Sequence, residues 1–366
     1  MRLSLDARPA ALYSVMQNPS RAFLLGPLLK GVSRSFYLTL NVLPTGMRDP
    51  VGVAYLLARA ADTIADTALI PPDQRLDLLL SLRARVNGTG ALDDDAVRRI
   101  AGEVANQQAQ SDEKVLLESV GAALDVLAQL SDVDQTAVRE IVTTLTEGME
   151  YDLRTFPDER SGRVIALATW DDLDRYTYLV AGCVGEFWTK MTYAHIPGAL
   201  KGDEAMLMRD GVRFGKALQM VNVLRDCGKD LRVGRCYLPE TMLHQAGLRT
   251  EDLLAPDASA RARALMLDLV RRTLDHFRAA IDYTFAIPAW SLRLRLACLW
   301  PILIGLETLL LLVDNESWLD PRMASKLKRR DVYKIVLRST LAAPSNRLLC
   351  AWFERLIARI EARIAR

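Results

Sequence analysis

The fold of this chain is decided by one stretch, Gln219-Met-Val-Asn-Val-Leu-Arg-Asp-Cys-Gly-Lys-Asp-Leu-Arg-Val-Gly-Arg-Cys-Tyr-Leu-Pro239. Its first half has helical periodicity, which places four oxygen-bearing side chains on one stripe, at i, i+3, i+7 and i+11: Gln219, Asn222, Asp226 and Asp230. Two carboxylates one turn apart on a helix repel each other unless a cation lies between them. The stretch therefore predicts a helix with a wall of oxygen ligands along one face.

A second acidic pair lies upstream, in Arg59-Ala-Ala-Asp62-Thr-Ile-Ala-Asp66, after a largely apolar run. A buried carboxylate without a partner is costly, so it either takes up a proton or recruits a cation. Each pair has an arginine beside it, Arg59 or Arg225. Two such pairs predict a cavity that holds Mg²⁺ and an oxygen-rich anion, for which diphosphate is the best fit. The alternative for either pair alone is an acidic surface facing water.

Helical spacing of apolar residues continues along nearly the whole chain, whereas strand-like alternation is rare. Pro71-Pro-Asp73 is typical of a helix start, and Thr169-Trp-Asp-Asp172 resembles a capping box. The sequence therefore predicts a single all-α domain. The other helices are expected at about 94–108, 112–130, 133–155, 204–230, 259–283, 290–313, 331–340 and 346–366.

Composition excludes several classes of protein. The net charge of +2 indicates no nucleic-acid partner. The five cysteines lack a CxxC spacing, which argues against a zinc site and favours reduced thiols in a cytoplasmic protein. The N-terminus has no signal-peptide core. The apolar segment from Leu296 to Val313 contains Pro301 and Glu307, so we expect a buried core helix rather than a membrane span.

Tyr176 lies on an aromatic helix face, where packing in the core is the ordinary role. Gly182 and Gly185 follow it in the same predicted helix and lower its helical propensity. Their presence is explained if another helix or a prenyl chain passes close to this segment.

Five motifs, in this order, resemble those of the squalene/phytoene synthase family, and within it the squalene synthases. The motifs are Ser33-Arg34-Ser35-Phe36, Arg59 to Asp66, Tyr176 to Gly185, Gln219 to Pro239 and Cys298-Leu-Trp-Pro301. The resemblance implies an all-α isoprenoid synthase (trans-prenyltransferase-like) fold with a central cavity. It implies a catalytic domain over 21–342, with an N-terminal extension at 1–20 and a basic amphipathic helix at 343–366.

The same resemblance assigns roles to individual residues. Mg²⁺ would be held by Asp62, Asp66, Asp226 and Asp230, and Tyr176 would lie beside the reacting carbons. Substrate diphosphate would be held by Ser33, Arg34, Ser35, Phe36, Arg59, Gln219, Asn222, Arg225 and Arg235. Residues near the nicotinamide cofactor NADPH would be Arg34, Arg59, Arg225, Lys326 and Lys328.

Lys326 and Lys328 belong to a basic cluster, Ser325-Lys-Leu-Lys-Arg-Arg330, that resembles the segment binding the 2′-phosphate region of NADPH in squalene synthases. Lys328 stands where an arginine is usual and is a less rigid phosphate donor. The alternatives are a solvated patch or attraction to anionic lipid. The chain has no Gly-x-Gly-x-x-Gly motif, so a Rossmann site is not expected.

The reaction implied is the head-to-head joining of two farnesyl diphosphates to presqualene diphosphate, followed by rearrangement and reduction by NADPH to squalene. The alternatives are a phytoene, dehydrosqualene or presqualene diphosphate synthase without reduction, and a non-catalytic assembly factor of the same fold. An assembly factor would be expected to lose the acidic pairs. Ala65 and Lys229 stand where the family often has glutamate, which puts the number of Mg²⁺ ions in question.

The C-terminal segment has apolar residues on one face and basic residues elsewhere. The apolar set is Leu348, Leu349, Trp352, Phe353, Leu356, Ile360 and Ile364. Such a helix either docks on the domain or lies in a membrane interface. An apolar product that must reach lipid favours peripheral contact with the inner face of the membrane, on a protein that is otherwise cytoplasmic.

Overall fold

The computed structural model describes residues 19–33, 36–89, 95–107, 111–156 and 159–366. Within these residues the chain is almost entirely helical, as predicted. The helices of eight or more residues in this part of the chain are α1 Thr45–Ala65, α2 Pro72–Val86, α3 Ser111–Glu118, α4 Val120–Ala128, α5 Asp132–Thr155, α6 Trp170–Thr177, α7 Cys183–His195, α8 Glu204–Asp230, α9 Arg263–Ala286, α10 Leu292–Val313, α11 Arg329–Ala342 and α12 Asn346–Ile364.

Short segments join these helices. The α-helical ones are Arg21–Phe23, Leu29–Ser33, Tyr37–Asn41, Asp95–Arg99, Glu240–Gln245 and Ala258–Arg261. The π and 3₁₀ segments are Leu24–Leu28, Ile100–Val104, Ala105–Gln107, Tyr178–Gly182, Leu231–Val233, Thr250–Leu254 and Pro321–Met323. Two short strands, β1 Ile165–Ala166 and β2 Arg235–Cys236, pair in parallel with Ile165 opposite Arg235. The sequence did not predict this pairing, because two residues are too few to show alternation.

Local signals agree with several observed helix limits. The predicted helix at 204–230 has those bounds, and Thr169 and Asp172 form the expected capping box at the start of α6. The predicted helix at 112–130 is instead divided at Ser119. The Ser119 hydroxyl donates to the carbonyl of Val115 at 2.6 Å, a bond that bends helices because it competes with the backbone ladder.

Glycines let α7 and α8 touch backbone to backbone. A Cβ on Gly185 would lie 1.7 Å from the Gly211 carbonyl oxygen, and one on Gly215 would lie 2.0 Å from that of Ala181. The expected close approach at Gly185 is therefore made by a helix. It fixes α8 beside the segment that carries Tyr176.

Helix α10 is long and apolar enough to cross a membrane by length and composition alone, but 72% of its most apolar window is buried inside the molecule. Pro301 lies within it, and α9, α11 and α12 pack around it. The structure therefore confirms that this segment is a buried core helix, as predicted.

Helix α12 docks on α9 and α10 through most of its predicted apolar face. The buried residues are Leu349, Phe353, Leu356, Ile360 and Ile364. The expected membrane contact is wrong for these five side chains, because burying them in the domain already removes them from water. Leu348 stays exposed and Trp352 is half-buried.

Candidate active site

The first acidic pair lies at the C-terminal end of α1, where Asp66 caps the helix. Arg59 bonds Asp62 and also reaches Glu113 at 2.5 Å. Although the Asp62 side chain is 40% exposed, the helix ends packed around it desolvate the carboxyl, and Asp66 adds a like charge. Together they raise the pKa of Asp62 to about 6 against the opposing effect of Arg59. A carboxylate in this position favours a bound cation.

The second acidic pair lies in the last two turns of α8, as the stripe predicted. The Arg225 guanidinium donates two hydrogen bonds to the Asp226 carboxylate, one of them from Nε to Oδ1 at 3.1 Å. Asn222 donates to Gln219 at 3.2 Å, one turn apart on the same stripe. Burial and the charge of Asp226 raise the pKa of Asp230 to about 7.

The first acidic pair and Gln219 of the stripe on α8 line one polar cavity of about 180 Å³. Its polar lining is Asp62, Asp66, Asp152, Tyr176, Gln219 and Arg235. The charges of Asp66 and Asp152 also raise the pKa of Asp230, so the second pair lies within their electrostatic reach. In the described part of the chain, no three acidic, histidine or cysteine side chains are grouped closely enough to hold a metal by themselves.

Two of these carboxyl groups, Asp62 and Asp230, nevertheless fit a cation such as Mg²⁺, because desolvation and a neighbouring carboxylate raise their pKa values and a bound cation would offset both effects. Mg²⁺ takes one or two protein carboxylates and fills its shell with phosphate oxygens and water. The two acidic pairs lie on different helices, Asp62 and Asp66 at the end of α1 and Asp226 and Asp230 on α8. This arrangement would suit Mg²⁺ bound by both protein carboxylates and a diphosphate.

Arg235 lines the polar cavity, where its contact with substrate diphosphate stays a prediction. The β1–β2 pairing and Gly234, whose φ is 85°, hold its backbone in place. Its guanidinium lies 3.6 Å from Asp66, 3.7 Å from Asp152 and 3.2 Å from Glu159. It joins the first acidic pair to Asp152 and Glu159, two acids that the sequence did not predict in the site.

Asp152 and Tyr237 are the site residues that sequence reasoning missed. Tyr237 donates to Asp152 Oδ2 at 2.6 Å and stacks on Tyr176 with ring centroids 4.7 Å apart. The buried Oδ1 of Asp152 accepts no hydrogen bond from the described residues. Burial raises the pKa of this carboxyl to about 7 despite the hydrogen bond from Tyr237 and the charge of Arg235.

One signal in the sequence was available for Asp152. On α5 it continues the apolar period of Val138, Val142, Leu145 and Gly148, all buried, so an acid occupies a position that faces the core. An acid in such a position marks either a buried ion pair or a functional carboxyl.

Ser33 and Phe36 are not placed as phosphate donors. The Ser33 hydroxyl donates to the Leu29 carbonyl of its own helix at 2.5 Å. Phe36 stacks on Tyr55 and lines an apolar pocket of about 150 Å³. Their neighbours Arg34 and Ser35, predicted to bind diphosphate, lie outside the described residues.

The apolar pocket adjoins the polar cavity, since Val180 lines both. Its larger side chains are Phe36, Trp188, Leu218, Phe214, Tyr283 and Cys298. The expected central cavity is thus present as two neighbouring pockets of opposite character.

Lys326 lies beside the second acidic pair and Lys328 precedes the first residue of α11, and both side chains are exposed. Lys229, at a position where the family often has glutamate, lowers the pKa of Lys326 by its proximity. Arg225 adds to this effect and Asp226 opposes it. Neighbouring cations at the edge of a carboxylate site favour a multiply charged anion such as a phosphate group.

Comparisons with known proteins show which family the chain belongs to. The family model described as squalene/phytoene synthase matches residues 29–330. A squalene synthase from Nicotiana benthamiana is 27% identical over 346 residues, covering 94% of this chain and 76% of the relative. A bifunctional lycopene cyclase/phytoene synthase from Colletotrichum graminicola is 30% identical over 264 residues, covering 70% of this chain. This chain spans only 41% of that relative's length.

Solved structures show the same fold. The complex of TcSQS with the ligand E5700 aligns with a TM-score of 0.72 at 22% identity, covering 94% of this chain and 95% of that one. A dehydrosqualene synthase in complex with ligand aligns with a TM-score of 0.60 at 21% identity, covering 87% and 94%. Both alignments confirm the all-α fold.

Proposed function

This chain belongs to the squalene/phytoene synthase family, and we propose that it joins two farnesyl diphosphates head to head to presqualene diphosphate and then reduces that intermediate to squalene. The observation that carries the proposal is the shared wall at Val180, where an apolar pocket meets a cavity lined by the first acidic pair and within electrostatic reach of the second. Such a junction matches a substrate with a charged diphosphate and a hydrocarbon chain.

The polar cavity would take the diphosphate. Asp62, Asp66, Asp226 and Asp230 would hold Mg²⁺, which when bound acts as a Lewis acid on the departing diphosphate. Arg59 and Arg225 keep the acidic pairs in place, since each bonds the first carboxylate of its pair. Lys229 and Lys326 lie at the edge of the second pair and would stabilise negative charge that develops on phosphate oxygens.

The apolar pocket would take the prenyl chains and exclude water from the allylic cation. At about 150 Å³ it is smaller than the roughly 300–1,000 Å³ of ordinary ligand pockets. Binding two chains therefore requires side chains such as Trp188 and Phe214 to move apart. Tyr176, on which Tyr237 stacks, lines the polar cavity, where its ring can stabilise a carbocation.

The first half-reaction releases a proton as the cyclopropane closes. Asp152 is suited to accept it at Oδ1, because this oxygen has no hydrogen bond from the described residues and the carboxyl has a pKa of about 7. Tyr237 holds the other oxygen and so fixes the orientation of the carboxyl. A base is most effective when its pKa lies near the working pH.

The reductive step rests on Lys326 and Lys328, which would meet the 2′-phosphate of NADPH, a cofactor that supplies hydride when bound. A phytoene or dehydrosqualene synthase without this step is the second candidate. The phytoene synthase activity in the name of the fungal relative that is 30% identical favours it.

The deciding experiment is product analysis by gas chromatography–mass spectrometry, with farnesyl diphosphate and Mg²⁺ and with or without NADPH. Squalene formed only with NADPH supports the proposal, and dehydrosqualene in both reactions supports the second candidate. Asp226→Asn should abolish turnover with unchanged helical content, while Asp268→Asn, at an exposed ion pair with Arg272, should leave it intact. Full activity in Asp226→Asn would refute the assignment of the acidic pairs.

A further inference from the structure

Helix α11 has a face of apolar side chains that points away from the domain. Tyr333, Leu337 and Leu341 follow one another at i, i+4 and i+8 and are 60%, 64% and 75% exposed. Ile335 and Ser339, on the opposite side, are buried against the core. The helix is therefore apolar on both sides, and only the inner side is accounted for by the fold.

This outer face is a concentration of exposed apolar surface. Thirteen large apolar side chains are exposed in the described residues, and four of them lie between 333 and 348. Single exposed apolar residues are ordinary, whereas a contiguous group marks an interaction surface. The fourth is Leu348, in the first turn of α12 and in line with Trp352 at i+4.

Basic side chains surround the same face. Arg330 and Lys334 flank the apolar stripe on α11, where Asp331 is the neighbouring acid. Beside them a cleft of about 460 Å³ opens between α10, α11 and α12. Its basic lining includes Arg338, Arg355 and Arg359, none of which forms an ion pair with a described residue. With Lys334 they outnumber the two acids of the lining, Glu307 and Asp331, so the cleft is net positive.

We propose that the outer face of α11 and the adjoining arginine cleft dock on the surface of an anionic lipid bilayer. An amphipathic helix with basic flanks lies in the interface plane, with its apolar side chains at the boundary between headgroups and acyl chains. The three arginines then meet lipid phosphates, which guanidinium groups bind with two parallel hydrogen bonds. Exposed leucines lose water at the same contact.

Charge decides between lipid and a second copy of the chain. A self-association across this face would bring like charges together, which is unfavourable, whereas an anionic membrane has the opposite sign. The sequence suggested membrane contact through the C-terminal helix, α12. Most of the apolar face of α12 is buried in the domain, and the exposed apolar residues lie on α11 instead. This surface lies apart from the acidic pairs, so the inference stands independently of the proposed reaction.

The test is flotation of the purified full-length protein with vesicles of phosphatidylcholine alone or mixed with phosphatidylglycerol. We expect binding to the mixed vesicles, weakened by salt. Arg355→Gln with Arg359→Gln should weaken this binding about 30-fold, from the typical contribution of a basic residue near an anionic surface. Leu337→Glu with Leu341→Glu should abolish it. The matched control is Val133→Glu, at a side chain 66% exposed on α5, which should bind like the wild type.

Helical content and turnover of farnesyl diphosphate should be unchanged in all these variants, which separates loss of docking from loss of folding. Absence of binding by the wild-type protein would overturn the proposal, as would equal binding by Leu337→Glu/Leu341→Glu. Light scattering tests whether a second copy of the chain, rather than lipid, covers this face. A wild-type dimer that becomes a monomer in Leu337→Glu/Leu341→Glu would show that a second copy covers this face, and would also overturn it.

Discussion

Replacing Asp152 by asparagine should stabilise the folded protein while impairing its activity. The carboxyl is only 14% exposed, and burial raises its pKa from 3.8 to about 7. At 1.36 kcal/mol for each unit, ionising it in the folded state costs at most about 4 kcal/mol relative to the unfolded chain. Asparagine is nearly isosteric, still accepts the hydrogen bond from Tyr237 and carries no charge.

The increase in the free energy of unfolding caused by Asp152→Asn must depend on pH in a defined direction. A carboxyl whose pKa is raised by folding binds a proton in the folded state while the unfolded chain has already lost it. The stability that comes from its protonation is therefore lost as the pH rises from about 4 to about 7. Asp152→Asn escapes this loss, so the difference in stability between variant and wild type should be near zero below pH 4 and largest above pH 7.

The assay is urea denaturation followed by circular dichroism, in a chelator, at about pH 4 and about pH 8. Tyr237→Phe is the opposing control, because it removes the hydrogen bond to the carboxylate and should lower stability most at the higher pH. Product analysis should show slower formation of presqualene diphosphate by Asp152→Asn. A variant that is less stable than wild type at the higher pH, or equally stable at both, would refute the reasoning.

Three further predictions concern packing and the acidic pairs. Gly185→Ala should lower the free energy of unfolding in urea by at least about 3 kcal/mol, because its Cβ would meet a carbonyl oxygen, whereas Gly121→Ala, with only ordinary contact, should be neutral or stabilising. Mg²⁺ at about 100 times its dissociation constant should stabilise the protein by about 2.7 kcal/mol above pH 7. The stabilisation should be smaller below pH 6, where Asp62 and Asp230 hold protons, and Asp226→Asn should lose it in thermal melts. Lys229→Glu should tighten Mg²⁺ binding roughly tenfold in titration calorimetry and raise the KM for NADPH, because it adds a carboxylate and removes a cation beside Lys326. Unchanged Mg²⁺ affinity in Lys229→Glu would place this side chain outside the site.

The predictions that agree with the structure depend on short-range order along the chain. The limits of α8, the oxygen stripe along it and the capping box at Thr169 all follow from helical periodicity and from side chains within one or two turns. The pairing of each acidic motif with an arginine is also local, since the partners lie one to three residues apart.

The features that the sequence did not predict depend on contacts between distant segments. Arg235 meets Glu159 because two residues pair in parallel across about seventy positions of sequence, a register that no local pattern specifies. The apolar face of α12 could cover either lipid or protein, and only the position of α10 decides between them.

The sequence by itself therefore determined an all-α fold and two acidic helix faces, because helical period and side-chain type are properties of neighbouring residues. From these faces it predicts that diphosphate and Mg²⁺ bind. Tertiary structure alone decided that Asp152 and Tyr237 join the site, that one cavity is divided into polar and apolar pockets at Val180, and that α11 carries the exposed apolar face. These features arise from which helix surfaces bury one another, and burial is also what shifts the pKa of Asp152.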